Sequence, residues 1–273
     1  MTRVIVHAGF HKTGTTSLQT YLARNRKALK PWFDYYGKYG KAEFLQAGAA
    51  ARIYGQRRFA WRRRAFRRAF RRFLGTIPRA ETIVLSRETF AGAMPGHRDF
   101  LGRTLTSYTP AAVPLAREIT RALRRRFGPD TVVEFLYTIR ERESWLRSVY
   151  GHLLRSIHLT EDYEAFRAAL ADTPDLRDQA NAIAAALQPV PVHMARLEEF
   201  SDHPAGPAGA VLVLAGVPDD LAASLPPARH EYRGQSPQMQ AEFLALNRSG
   251  RSKGELKATK EAMIAEAAKE RMS

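Results

Sequence analysis

Val4-Ile5-Val6-His7-Ala8-Gly9-Phe10-His11-Lys12-Thr13-Gly14-Thr15-Thr16-Ser17-Leu18-Gln19-Thr20-Tyr21-Leu22 reads as a buried strand, a glycine-bearing loop and the start of an amphipathic helix. Val4–His7 is a short β-branched run of the kind found in a parallel sheet. Leu18, Leu22 and Leu29 then form one apolar stripe at helical spacing. Between them, Gly9 and Gly14 have the separation of a phosphate loop, G-x-x-x-x-G. Such glycines let the backbone curl so that its N–H groups face inward, and the next helix begins with its positive end at the anion. Thr13, Thr15, Thr16 and Ser17 add hydroxyl groups. Nucleotide triphosphatases place a lysine directly after the second glycine. Here that position is Thr15 and the lysine is Lys12, inside the loop, so the anion is expected to be arranged differently.

Three further runs look like parallel strands: Thr82–Leu85, Val132–Tyr137 and Val190–His193. A second helical stripe, Leu115, Ile119, Leu123 and Phe127, stands between two of them. Strands alternating with helices predict an α/β fold, a three-layer, doubly wound, mostly parallel sheet flanked by helices, with a P-loop-like core. Ligands bind such sheets beyond the carboxyl ends of the strands. Those ends carry His11-Lys12, Ser86-Arg87-Glu88, Arg140-Glu141-Arg142 and Arg196-Leu197-Glu198-Glu199.

The 273 residues suit a single domain spanning 1–273. It would carry an arginine-rich helical insertion at about 44–80 and a charged carboxyl-terminal helix at about 255–271. Without cysteine there is no disulfide framework, zinc–thiolate site or thiol nucleophile. The eight histidines are scattered, so no metal site is expected. No segment approaches ~18 consecutive apolar residues, and the amino terminus reads as a strand, which predicts a soluble, cytoplasmic protein.

After the strand Val132–Tyr137, Arg140 is followed eight positions later by Ser148. A guanidinium offers a rigid fork for phosphate, and a serine in the next helix adds a hydroxyl beside the amide dipole. Lys12-Thr13-Gly14-Thr15-Thr16-Ser17-Leu18 resembles, position by position, the 5′-phosphosulfate loop of the PAPS-dependent sulfotransferase family. Arg140 and Ser148 are similar to that family's 3′-phosphate reader. The resemblance covers Val4–Leu29, Thr82–Phe90 and Val132–Leu154, with a fainter echo at Val190–Val217. It weakens at Tyr35-Tyr36-Gly37, where related bacterial sequences often carry Tyr-Pro.

The resemblance implies a transferase that moves a sulfuryl group from 3′-phosphoadenosine 5′-phosphosulfate (PAPS) to a hydroxyl or amine of a glycan, lipid or small molecule. His11, Lys12, Thr13, Gly14, Thr15, Thr16, Ser17, Arg140 and Ser148 would hold the co-substrate. Lys12 would also stabilise charge on the leaving oxygen, with no metal required. Glu88, in a Ser-x-Glu like that of related sequences, is the expected general base, with His7, His11 and His152 as rivals. The alternatives are a P-loop-type kinase or hydrolase and a non-enzymatic polyanion-binding protein.

The net charge of +16 is mostly local, since eleven arginines and no acidic residue lie between Phe44 and Ala80. Over Arg57–Phe73, Phe66, Phe70 and Phe73 share one stripe while arginines cover the rest. Three readings stay open: a solvated surface helix, a patch for an anionic acceptor, or contact with an anionic membrane surface. Nucleic-acid binding is not expected, because no recognition fold accompanies the patch.

Overall fold

A computed structural model describes residues 1–228 and 235–270. The chain forms two compact units, Met1–Arg142 with Thr173–Tyr232, and Glu143–Asp172 with Arg233–Ser273.

The first unit is an α/β fold around a five-stranded, all-parallel sheet. In chain order it contains β1 (Arg3–His7), α1 (Thr15–Arg24), α2 (Arg26–Leu29), β2 (Asp34–Tyr36), α3 (Ala42–Gln56), α4 (Ala60–Gly75), β3 (Thr82–Ser86), α5 (Thr109–Phe127) and β4 (Val132–Ile139). The helix α6 (Arg142–Ser156) begins at its last residue. The second unit holds the rest of α6, α7 (Tyr163–Ala169) and two late helices of the chain. The first unit resumes with α8 (Leu176–Leu187), β5 (Val192–Arg196), α9 (Gly209–Ala215) and α10 (Asp219–Ser224). The two late helices are α11 (Pro237–Arg248) and α12 (Lys253–Glu270); the expected helix end at Arg271 lies outside the described residues.

The strand order is β2-β3-β1-β4-β5, with helices on both faces of the sheet. After β1 the chain moves to the β3 side, and after β4 it moves to the opposite edge. The carboxyl ends of β1 and β4 therefore flank the point where the winding reverses, which is where open α/β sheets bind ligands. β1 is in register with both neighbours, His7 lying opposite Ser86 on one side and Leu136 on the other.

Alternation along the strands divides the core. Ile5, Val84 and Leu136 face a cluster with Leu18, Leu22 and Leu29, all buried. Leu29 belongs to the separate short helix α2, so the expected stripe bends at Asn25. On the α3–α5 side, Phe44, Phe66, Phe70, Phe73 and Phe90 are fully buried. Their ring centroids lie 4.6–6.0 Å apart in tilted, edge-on and stacked pairs. Aromatic pairs favour tilted and edge-on geometries because the ring face is negative and the edge positive.

Two expectations about strands need correcting. The fifth strand, β2, has three residues, too few to show periodicity. The last strand is Val192–Arg196 rather than Val190–His193, because Pro189 and Pro191 lack the N–H groups a ladder requires. Pro191 still contributes as an acceptor, its carbonyl taking the N–H of Phe135.

Candidate active site

The loop after β1 is shaped by conformation before chemistry. Lys12 has φ 68° and Gly14 φ 80°, and Lys12 is the one non-glycine residue with positive φ among those described. Left-handed backbone costs an ordinary residue about 1–2 kcal/mol, so the surrounding contacts must hold it. Gly9 is required for a different reason. A Cβ there would lie 2.3 Å from His7 Nε2 and 2.4 Å from Thr138 Oγ1.

Beneath the loop runs a chain of buried polar groups. Ser86 Oγ is 2.7 Å from His7 Nδ1, and His7 Nε2 is 3.4 Å from Thr138 Oγ1. Thr138 Oγ1 in turn lies 2.6 Å from Thr13 Oγ1, which donates to the Phe10 carbonyl at 2.6 Å. Three adjacent strand ends are thereby tied to the loop. The Thr13 hydroxyl is committed to this frame and fully buried. His7 is likewise buried and holds strands together. Burial pulls its pKa down to about 4 against the raising influence of Glu88.

Gly14 caps α1, leaving its first turn without an acidic residue or a side-chain cap. Thr15 is buried there, while Thr16 and Ser17 are half-buried. Lys38, just beyond β2, donates from Nζ to Thr16 Oγ1 at 3.2 Å and lies 4.9 Å from the centre of the Tyr39 ring. It brings a second lysine to the loop, and no motif in the sequence points to it.

Arg140 directly follows β4 and donates from Nη1 to the Lys12 carbonyl at 3.3 Å. Burial, the largest influence, lowers its pKa, while the charges of Glu198 and Glu141 raise it. Ser148 stands on α6 in the second unit.

Glu88 opens the turn after β3. Gln19, reaching across from α1, donates to its Oε2 at 2.9 Å. Burial acts to raise the carboxyl pKa, but its coupling to His11, the charge of Arg87 and the Gln19 hydrogen bond outweigh it, leaving Glu88 below the usual range. His11 is stacked on Tyr108 at 5.8 Å, with Tyr108 Oη 3.3 Å from its Nδ1 and accepting its backbone N–H at 3.2 Å. Burial, against the pull of Glu88, lowers the His11 pKa to about 4, so its imidazole is neutral at pH 7. Beside Glu88, the Nε of Arg87 and the hydroxyl of Thr89 are buried without a partner among the described residues.

The loop region can thus offer two lysines and an arginine to an anion. Glu88 and neutral His11 provide proton acceptors within electrostatic reach of one another. Among the described residues, no three His, Asp or Glu side chains converge to hold a metal, and no helix is long and apolar enough to cross a membrane.

No family model matches the chain, and no curated protein matches it in sequence. Among solved structures, a sulfotransferase from Alicyclobacillus acidocaldarius is similar, with 14% identity over 96% of each chain and a TM-score of 0.47.

Proposed function

We propose that this protein transfers a sulfuryl group from PAPS to a hydroxyl or amine of an acceptor. The observation that carries the reading is Lys12, held in left-handed backbone inside the loop while Arg140 grips its carbonyl. A ligand contact is a physical reason to keep a non-glycine residue in that conformation. The match of Lys12–Leu18 to the sulfotransferase loop supports the same reading.

In this reading His11, Thr13, Gly14, Thr15, Thr16 and Ser17 hold the 5′-phosphosulfate through backbone N–H groups and hydroxyls. Arg140 reads the 3′-phosphate, with Ser148 assigned to the same role by its separation along the chain. The acceptor oxygen or nitrogen attacks sulfur, an S–O or S–N bond forms, and the bridging S–O bond breaks with its electron pair on the phosphate oxygen. Lys12 stabilises that developing charge. The acceptor proton passes to Glu88, which is ionised at neutral pH. The unpaired polar atoms of Arg87 and Thr89 suit hydrogen bonding to a polar acceptor.

The test is ligand-dependent thermal stability in the presence of a chelator. The desulfated product PAP at about 100 times its Kd should stabilise the fold by ~2.7 kcal/mol. That corresponds to a rise in Tm of roughly 5–10 °C for a chain of this size. Stabilisation by Mg-ATP in a parallel arm without chelator, and not by PAP, would overturn the reading in favour of a metal-dependent P-loop enzyme.

A further inference from the structure

The arginine-rich helix α4 buries Phe66, Phe70, Phe73 and Leu74, so its opposite face is turned to solvent. Trp61, Arg64, Arg68, Arg71 and Arg72 are all exposed. Their spacing of three, four, three and one places them on one stripe of the helix. Arg63, nearer the buried side, pairs with Glu118 of α5 at 3.7 Å, so part of the charge is balanced within the fold. Among the described residues, no carboxylate pairs with Arg64, Arg68, Arg71 or Arg72 of the outward stripe.

The amino-terminal end of this stripe is apolar, and its apolar surface is assembled from two parts of the chain. Trp61 stacks on Phe59 with ring centroids 4.3 Å apart, and Phe59 meets Phe100 at 4.6 Å. Phe100 and its neighbour Leu101 are 50% and 60% exposed, and Trp61 is 56% exposed. Phe100 and Leu101 sit at the tip of a tight, hydrogen-bonded loop, and Trp61 stands on α4. Asp99 Oδ1 accepts the N–H groups of Leu101 and Arg103, and Asp99 Oδ2 takes both Nε and Nη2 of Arg103 at 2.9–3.0 Å. Arg98 Nη1 donates to the Gly102 carbonyl at 2.9 Å, and Arg98 and Thr104 form an antiparallel bridge.

We infer that this face docks the protein on an anionic membrane surface. The loop tip inserts Phe100 and Leu101 at the headgroup boundary, joined by Trp61 of α4, and the arginine stripe lies along the headgroups. Large amphipathic aromatics favour that boundary, while basic side chains beside it add attraction to acidic lipids. A soluble polyanion would engage the arginines but offers no apolar layer for the tip, which is why a lipid surface fits both halves of the patch. The inference does not depend on the nature of the reaction, because the patch lies outside the loop after β1.

The experiment is co-sedimentation of the full chain with phosphatidylcholine vesicles, with and without phosphatidylglycerol, beside binding to heparin. The native protein should partition onto the mixed vesicles and fall away as salt rises. Replacing Phe100 and Leu101 with serine should cut vesicle affinity about tenfold or more and leave heparin binding unchanged. Replacing Arg64, Arg68, Arg71 and Arg72 with glutamine should weaken both, by about fivefold per arginine on vesicles. All six side chains are exposed, and circular dichroism checks that the variants stay folded. Native vesicle affinity in the Phe100/Leu101 serine variant, or heparin binding without any vesicle binding by the native chain, would overturn the membrane assignment. The second outcome would identify the stripe as a reader of soluble polyanions.

Discussion

Arg140 Nη1 donates to the carbonyl oxygen of Lys12 at 3.3 Å, fastening the end of β4 to the loop that follows β1. These residues are 128 positions apart, yet they meet where the sheet reverses its winding. The bond uses one of five N–H donors on the guanidinium. Arg140→Lys keeps the charge but loses the planar fork. Affinity for PAP should fall by about tenfold or more, and affinity for the analogue without the 3′-phosphate should fall less. Equal losses for the two nucleotides would remove Arg140 from the 3′-phosphate.

Lys12 separates stability from activity. At φ 68° glycine is the comfortable residue, so Lys12→Gly should leave stability unchanged or raise it by up to about 1 kcal/mol. Turnover should nonetheless drop by ~10²–10³, as it does when a preorganised donor to a developing oxyanion is lost. Near-native PAPS-dependent turnover in the folded variant would show that the side chain is not at the leaving oxygen.

Lys38 should behave as an anion-binding lysine of the same loop, given its 3.2 Å contact with Thr16. Lys38→Met is expected to weaken PAP about tenfold at low salt and to flatten the salt dependence of binding. Titration calorimetry at two ionic strengths measures both, and an unchanged affinity at low salt would leave Lys38 as a partner of Thr16 alone.

His7 makes the fold sensitive to acid. Its folded pKa of about 4 lies below the unfolded value of 6.5. As pH falls below 6.5 the unfolded chain takes up the proton first. Stability is therefore complete above pH 6.5 and is lost progressively between 6.5 and 4. By pH 5 the loss from this group is about 2 kcal/mol. Urea unfolding at pH 7 and pH 5 should show a smaller drop for His7→Gln than for the native protein; identical drops would assign the effect elsewhere.

The two faces of α4 should respond in opposite ways to substitution. Phe70 is fully buried among Phe66, Phe73 and Phe90, so Phe70→Ala should cost about 3–5 kcal/mol through lost burial and a cavity. Arg68 is exposed, and Arg68→Gln should stay within about 0.5 kcal/mol. A comparable cost at both positions in denaturant titrations would contradict the packing of this helix.

The sequence by itself determined the parts of this protein that depend on local rules. A β-branched run such as Val4–His7 is a buried strand wherever both faces are covered. The stripe of Phe66, Phe70 and Phe73 specifies which side of α4 turns inward, and the structure buries those three rings. The loop from Gly9 to Thr16 was legible because conformation and spacing are written in consecutive residues. Tertiary structure decided what depends on contacts between distant segments. β2 is a strand only because Asp34–Tyr36 pairs with Ile83–Leu85; three residues carry no period of their own. Thr13 looks in sequence like one more loop hydroxyl, but Thr138, 125 positions away, turns it into the frame. Lys38 reaches Thr16 because β2 ends beside the loop, and Phe100 meets Phe59 across more than a helix of intervening chain. Hydrogen bonds and ring contacts of this range act only once the sheet has brought their partners together, so no window of sequence contains them.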